Sequence, residues 1–201
     1  ANNTPGVDYN AVVLGGNSSL TIDVGTLLLG DSVVDQTDKK GGDRGIRLSG
    51  SNNTLTIYAD RIVSYTGDEF IHVRQGDGSS VANIGSADRR IGYFEAHTGW
   101  GKDDYGVALL QANEGNKVFL YADEAVLDGS TNPNGGVIGS GGWGEVHVDA
   151  NKLTINGNIC GTYGEMSKPD KKLTLSVKAG TLDMTGSINV GNEGAGHSNF
   201  D

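Results

Sequence analysis

Apolar and polar residues alternate along most of the chain, and one alternating stretch occurs twice. Residues 145–159 read EVHVDANKLTINGNI, and residues 174–188, 29 positions later, read TLSVKAGTLDMTGSI. Aligned without a gap, the two stretches place apolar residues opposite one another at Val146/Leu175, Val148/Val177, Ala150/Ala179, Leu153/Leu182, Ile155/Met184 and Ile159/Ile188. A repeat of this length is typical of a solenoid, in which each copy buries its apolar face against the next copy.

The same order of apolar positions returns elsewhere in the chain. Residues 20–33 place apolar residues at six positions of the motif, and residues 53–64 align with residues 116–127 without a gap. Residues 70–94 form a further copy, which needs about two extra residues to align. The sequence therefore predicts about six copies between residues 11 and 191.

Within each copy the alternation has a period of two, which indicates strands with one buried face. The pattern predicts three short strands in each copy, separated by Gly, Asn, Asp and Ser, which supply tight bends. We therefore predict an all-β fold, a single-stranded right-handed parallel β-helix of about six coils, as one domain over residues 1–201. Residues 1–10 are expected to be a cap or linker, and residues 192–201 the truncated start of a further coil.

Other folds with short strands explain the pattern less well. A β-sandwich has no reason to repeat its apolar positions at 29 residues, and a β-propeller needs about four strands in each blade of about 40 residues. Leucine-rich repeats require a helix and a ladder of stacked asparagines. We expect neither feature in this chain.

Composition and charge narrow the function classes. The chain has 33 Gly but only 3 Pro, and its net charge is −10 without a run of Lys or Arg. A nucleic-acid-binding or anionic-membrane surface is therefore not expected. Cys160 is the single cysteine, so it cannot form an internal disulfide, and we expect it to be buried and inert.

Three units of the repeat also carry a family resemblance. The segments LTIYADRIVS, VFLYADEAVL and VHVDANKLTINGNI resemble coils in the passenger domains of Gram-negative autotransporter adhesins and haemagglutinin-like exoproteins, over about residues 11–191. The resemblance implies a secreted or cell-surface virulence protein, exported across the outer membrane through a C-terminal barrel that would belong to the full-length chain. It implies a role in cell adhesion or aggregation, and it supplies no catalytic motif.

Motifs that carry catalytic chemistry are missing from the sequence. There is no P-loop, no GxSxG and no histidine spacing suited to zinc, so we expect neither a metal nor a cofactor. His72 and His147 alternate with apolar strand residues and are expected to face outward. Asp88, Arg89 and Arg90 fit either a Ca²⁺-dependent lyase arrangement or ordinary turn residues, and turn residues are the expected case.

The longer polar segments follow the third predicted strand of a unit and precede the first strand of the next. They are residues 35–43, 95–104, 128–135 and 161–172. Insertions at one register of a solenoid project from one edge, where binding is expected. The candidate binding residues in and beside the second insert are His97, Trp100, Lys102, Asp103, Asp104 and Tyr105. Trp100 is either an exposed contact for a sugar or protein or a lid folded over the coil.

These observations support two hypotheses of different class. The first is a non-enzymatic, surface-exposed or secreted adhesin segment that binds a host or bacterial surface protein or glycan, or a second copy of itself. The second is a carbohydrate-active β-helix, either a polysaccharide lyase or a glycoside hydrolase. A phage tail-spike fragment is a third and weaker interpretation. Because no clustered acid/base set is apparent, the sequence favours the non-enzymatic adhesin.

Overall fold

A computed structural model describes residues 10–30, 44–66, 69–74, 79–98, 108–129, 136–140, 143–161 and 173–190. Within these ranges all regular structure is β-strand, so the all-β prediction is confirmed. The strands are β1 (Asn10–Leu14), β2 (Ser19–Leu29), β3 (Arg44–Ser49), β4 (Thr54–Thr66), β5 (Ile71–Arg74), β6 (Val81–Ile84), β7 (Ile91–Thr98), β8 (Ala108–Ala112), β9 (Lys117–Asp128), β10 (Gly136–Ser140), β11 (Glu145–Asn156), β12 (Asn158–Gly161), β13 (Thr174–Thr185) and β14 (Ile188–Val190). The described part of the chain contains no helix long and apolar enough to span a membrane.

The strands alternate between two parallel sheets in chain order. The first sheet has the order β1-β3-β5-β8-β10-β12-β14, and the second has the order β2-β4-β6-β9-β11-β13. Strand β7 shares a layer with β6, because both pair in parallel with β4 on one side and β9 on the other. Among the described residues the first sheet therefore has seven layers and the second has six.

The duplicated stretch has the register that the sequence predicted. Strand β11 pairs with β13 so that Val146 lies opposite Leu175 and Leu153 lies opposite Leu182. The same alignment continues into the first sheet, where Ile159 lies opposite Ile188. The apolar spacing predicts the register because any shift by one residue would turn the buried side chains to the exposed face.

The prediction of three short strands in each copy is wrong. Residues 145–156 form one strand, in which Ala150 and Leu153 are buried while the intervening Asn151 and Lys152 are exposed. Two successive exposed residues shift the alternation by one position, but they leave the pairing with β9 and β13 intact. Only the third copy divides this strand, into β6 and β7.

The third copy also contains a larger insertion than the sequence predicted. Seven positions separate Ile84 from Ile91, whereas two separate their partners Leu120 and Ala122. Residues 85–90 are therefore a connection with five extra residues rather than about two. The apolar residues on both sides of this connection allow a shorter alignment, so the pattern alone underestimates it.

The core lies between the two sheets and is built from columns of equivalent side chains. One column of the first sheet consists of Val12, Ile46, Ile71, Leu110, Ile138, Ile159 and Ile188. The members in the middle layers are fully buried, and each such side chain stabilises the fold by about 1.5–3 kcal/mol. At the last layer Leu182 and Ile188 are 48% and 64% exposed, because the core is open there.

A ladder of buried polar residues marks the turn from the first sheet into the second. The side-chain oxygen of Asn53 accepts a hydrogen bond from the Ser18 amide, and that of Asn116 accepts one from the Ser80 amide. The Ser80 hydroxyl also accepts one from the Asn53 amide. The ladder places Asn53, Ser80 and Asn116 in successive layers rather than stacking asparagines, and the sequence did not predict it. These residues resemble turn residues in the sequence, and only their stacking reveals the ladder.

Gly144 occupies the next layer of this corner. A Cβ atom at Gly144 would meet the carbonyl oxygen of Ala112 and the hydroxyl of Ser140. The Gly144 amide donates to that same hydroxyl at 2.9 Å. The close approach of these backbones requires glycine at this layer.

Candidate functional site

The structure describes one of the six candidate binding residues, His97 on β7. The other candidates lie outside the described residues: Trp100, Lys102, Asp103, Asp104 and Tyr105. His97 does not lie in a loop, because β7 extends to Thr98 and pairs with β4 through residues 93–98. The predicted insert at 95–104 is therefore wrong for its first four residues. The alternation of buried and half-buried residues continues through this segment.

His97 is held by contacts from three strands. Its ring stacks on Tyr65 of β4 with a centroid separation of 4.6 Å and an interplanar angle of 2°. Its Nε2 lies 2.7 Å from a carboxylate oxygen of Glu95, and its Nδ1 lies 3.1 Å from a carboxylate oxygen of Asp128 on β9. The imidazole therefore lies between two carboxylates on the side of the sheet that faces away from the core.

Two further residues extend this arrangement along β7 and β4. The Tyr93 hydroxyl donates to the second carboxylate oxygen of Glu95 at 2.9 Å. The Arg61 guanidinium lies 4.4 Å from the centre of the Tyr93 ring and 3.6 Å from the same Glu95 oxygen. We refer to Arg61, Tyr65, Tyr93, Glu95, His97 and Asp128 together as the His97 cluster.

The cluster fixes the ionisation of two of its members. Burial alone raises the pKa of the Glu95 carboxyl, but hydrogen bonds from His97 and Tyr93 outweigh burial and lower the pKa below its ordinary value. Burial, followed by the hydrogen bond to Glu95, raises the pKa of Tyr93 to about 12. At neutral pH Glu95 is therefore ionised, and Tyr93 is a neutral donor.

The His97 cluster brings together half-buried aromatic rings and carboxylates with the exposed guanidinium of Arg61. Such a combination can hydrogen-bond and pack against sugar hydroxyls or a polar protein surface. Within the described residues, no group of three or more His, Cys, Asp or Glu side chains is arranged to hold a metal ion.

A related arrangement lies two layers further along the second sheet. His147 stacks on Phe119 with a centroid separation of 4.9 Å, and its Nε2 lies 3.2 Å from a carboxylate oxygen of Glu145. Both histidines follow a glutamate by two positions and stack on a ring of the preceding layer. The prediction that His147 faces outward agrees with its half-buried position on this side of the sheet.

The connection 85–90 crosses the same side of the sheet. Arg89 binds both carboxylate oxygens of Asp23 on β2, at 2.6 and 2.7 Å, and lies over the ring of Tyr58 on β4. Arg90 points the other way, to the Ala122 carbonyl at 2.6 Å and to the Asp149 side chain at 2.9 Å. These contacts identify both arginines as structural residues of a connection. The sequence singled out both arginines as lyase or turn residues, but it did not predict their cross-strand contacts.

His72 differs from its prediction, because it is buried although it lies on the outward side of β5. Its Nδ1 is 2.8 Å from a carboxylate oxygen of buried Glu69, and its Nε2 is 3.1 Å from the Asn113 amide nitrogen. Asn113 also lies 3.4 Å from Gln111, whose oxygen accepts from the Ala108 amide. This buried polar network was not foreseen, since its members lie up to about 40 residues apart in sequence.

Ion pairs cover the outward side of the second sheet. Six basic side chains bind acids on other strands, in the pairs Arg61–Glu95, Arg89–Asp23, Arg90–Asp149, Lys117–Glu145, Lys152–Glu124 and Lys178–Asp149. We refer to this side of the second sheet as the ion-paired face.

No family model, curated protein or solved structure matches the chain.

Proposed function

We propose that the chain is a right-handed parallel β-helix of about six coils that acts as a non-enzymatic adhesive module. It binds a surface protein or glycan of a host or bacterial cell, or a second copy of itself. The observation that carries the adhesive role is the ion-paired face, where polar and aromatic side chains are fixed in register over six layers.

The coiled path is supported by the order of the strands. Every strand pairs in parallel with its neighbour, and consecutive layers of one sheet are joined through a strand of the other. Parallel neighbours need such crossover connections, and right-handed crossovers are strongly preferred. Six layers at a spacing of about 4.8 Å correspond to a rod on the order of 30 Å long.

The adhesive role is supported by the rigidity and chemistry of the ion-paired face. Salt bridges between strands hold long side chains in place before a partner arrives, which lowers the entropic cost of binding. Half-buried Tyr58, Tyr93 and Tyr121 lie among the charges and supply aromatic contact area of the kind that dominates binding energy.

The proposal includes a secreted or cell-surface location outside a Gram-negative bacterium. Its support is the resemblance of the segments LTIYADRIVS, VFLYADEAVL and VHVDANKLTINGNI to autotransporter passenger coils. A C-terminal outer-membrane barrel is accordingly expected in the full-length chain. A barrel-coding sequence downstream in the gene would support this part of the proposal.

Display of the chain on a non-adherent bacterium tests the adhesive role directly. We expect displayed cells to aggregate or to bind host cells, and Arg61→Ser with Tyr93→Ser to reduce attachment roughly tenfold, about 1.4 kcal/mol of binding free energy. The matched control is Arg74→Ser, which removes an exposed arginine from the first sheet instead. An absence of attachment, or equal losses in both variants, would contradict the proposal.

A carbohydrate-active β-helix is the second candidate. It is favoured by one observation, the pair of carboxylates from Glu95 and Asp128 that flank His97 on neighbouring strands. Incubation with a panel of polysaccharides, with and without Ca²⁺, distinguishes the two functions. Product release that Glu95→Gln abolishes would replace the adhesive proposal with an enzymatic one.

A further inference from the structure

We propose that Asn156 and Gly157 form a site of spontaneous deamidation, and that the sixth layer of the second sheet controls it. Asn156 is the last residue of β11, and Gly157 follows it directly. An asparagine before a glycine is prone to close a succinimide ring, because glycine has no side chain to hinder attack by its backbone nitrogen. The second such pair in the sequence, Asn134 with Gly135, lies outside the described residues.

The fold requires a glycine directly after β11. Gly157 has a φ of 145°, in the region that favours glycine. A Cβ atom at this position would also lie 2.9 Å from a side-chain carbon of β10. Gly129 and Gly186 occupy the equivalent positions of the neighbouring layers, where Asp128 and Thr185 precede them. Among these three layers, only the fifth combines the required glycine with an asparagine.

The Gly157 nitrogen is not available for attack while β13 is paired. Its N–H donates to the carbonyl oxygen of Thr185, the last residue of β13, at 2.8 Å. One layer earlier, the Gly129 N–H donates to the carbonyl oxygen of Asn156 at 2.7 Å. The first bond joins the reactive nitrogen to the sixth layer, and the second holds the Asn156 backbone in the ladder. Ring closure therefore requires β13 to separate from the Gly157 amide.

Strand β13 is less firmly packed than β11, because its apolar side chains are less buried. Leu182 is 48% exposed, whereas its partner Leu153 in β11 is fully buried. Met184 is only partly buried, although its partner Ile155 is fully buried. Local opening of a layer with few buried contacts costs less free energy than global unfolding. The Gly157 nitrogen can therefore be released while the other layers stay closed.

Once it is released, the pair reacts with water alone. The Gly157 nitrogen loses its proton to the solvent and bonds to Cγ of Asn156, while the side-chain nitrogen takes up a proton and leaves as ammonia. Water then adds to one carbonyl of the succinimide ring, and one C–N bond of the ring breaks. The product is aspartate, or isoaspartate with an extra methylene in the main chain.

Either product weakens the contact between layers. Aspartate would place a carboxylate opposite Asp128, the partner of Asn156 in β9, and like charges at opposed positions destabilise a sheet. Isoaspartate would lengthen the main chain just before β12, where Ile159 pairs with Ile188. Because the lost ammonia does not return, the reaction is a permanent record that the sixth layer has opened. This site is independent of the proposed adhesive function.

Ageing of the purified full chain at mildly alkaline pH tests the site. Peptide mass spectrometry measures conversion of Asn156, and labelling by an isoaspartyl methyltransferase identifies the second product. We expect conversion in the folded protein to be at least about tenfold slower than in urea, because the sixth layer is closed in most molecules. Asn158 is the internal reference and should convert much more slowly in urea, since the β-branched Ile159 follows it.

A matched pair of variants tests the control by the sixth layer. Leu182→Ala weakens the sixth layer, and Leu27→Ala removes the same side chain from the same column in the first layer. We expect Leu182→Ala to speed conversion of Asn156 in the folded protein roughly threefold to tenfold, and Leu27→Ala to leave it unchanged. In urea both variants should convert at the wild-type rate.

Hydrogen exchange of the wild-type protein is a second measurement, which does not depend on the folding of either variant. The Gly157 amide should exchange faster than the Gly129 amide, since its acceptor belongs to the sixth layer rather than the fifth. A Gly157 amide that exchanges no faster, or equal acceleration by Leu182→Ala and Leu27→Ala, would overturn the control by the sixth layer. Conversion as fast in the folded protein as in urea would overturn it too. An Asn156 that stays intact in urea would overturn the site itself.

Discussion

Single polar residues stabilise the corner where the chain passes from the first sheet to the second. The Asn116 side chain accepts from the Ser80 amide at 3.1 Å and donates to the Asn113 carbonyl at 2.7 Å. Both Ser80 and Asn116 are fully buried, so no solvent can replace a bond that is removed. Each ladder residue therefore satisfies backbone groups of the layer before it.

Replacement of Asn116 by Ala should destabilise the protein by about 1–3 kcal/mol, because the buried Ser80 amide loses its acceptor. The matched control is Asn151→Ala on β11, whose exposed side chain donates only to Asp123 among the described contacts. That control should change stability by no more than about 0.5 kcal/mol. Urea unfolding of both variants measures the two losses of stability. Equal losses would mean that the ladder contributes nothing.

The sequence identified His97 but not its surroundings. Asp128 lies 31 residues away, and its contact with Nδ1 exists only because β7 and β9 pair in one particular register. His72 shows the same limit, since alternation placed it on the outward side but could not show that the side is covered there. A residue's face follows from local pattern, whereas its exposure and partners depend on the packing of distant layers.

The connection 85–90 ties together strands that do not neighbour one another. Arg89 reaches β2 on one side, and Arg90 reaches β9 and β11 on the other. The two arginines differ in environment, because Arg89 is more than half exposed while Arg90 is about one-fifth exposed. Hydrogen bonds from a charged group strengthen as water is excluded, so the two contacts should differ in strength.

Arg90→Ala should therefore destabilise the protein by about 1.5–3 kcal/mol, because the Ala122 and Asp149 carbonyls lose a charged donor. Arg89→Ala is the matched control, one residue earlier in the same connection. It should leave the urea midpoint nearly unchanged at moderate salt, since its ion pair is exposed. A larger effect from Arg89 would reverse the assignment of the stronger contact.

The long strands could be predicted from apolar spacing because burial of one face leaves a single register. Whether each long strand is continuous or divided in two could not be predicted from that spacing. The step from Ala150 to Leu153 resembles a break in the sequence, yet hydrogen bonding continues through Asn151 and Lys152. The length of the 85–90 connection could not be predicted either. Apolar spacing identifies the paired strand residues but not the number of residues in a connection that lies outside the sheet.

Within the described residues, the middle layers of the two sheets are more deeply buried than the first and last layers. Leu120 and Val148 in the middle layers are buried, whereas Ile22 and Val177 in the same column at the two ends are only partly buried. Because each layer contacts only its neighbours, local opening should begin at the ends and proceed inward.

Native-state hydrogen exchange should show this gradient. We expect amides of β9 and β11 to exchange more slowly than equivalent amides of β2 and β13, by at least about tenfold, since the terminal layers can open without disrupting the middle. The amides compared should belong to equivalent residues of one column, so that their side chains are similar and differ mainly in layer. Uniform protection across the layers would show instead that the stack opens as a single cooperative unit.

The described residues place unequal numbers of layers in the two sheets, so the first and last described layers do not match one another. Among the described residues, β14 forms a seventh layer of the first sheet, and β13, in the sixth layer, is the last strand of the second sheet. A second copy joined end to end could continue one sheet only by leaving a strand-wide vacancy in the other, or by displacing β14. The first and last described layers therefore differ by one strand, and the two sheets cannot both continue from one copy to the next without a gap. End-to-end contact of the described layers would therefore leave one strand position of the second sheet unfilled.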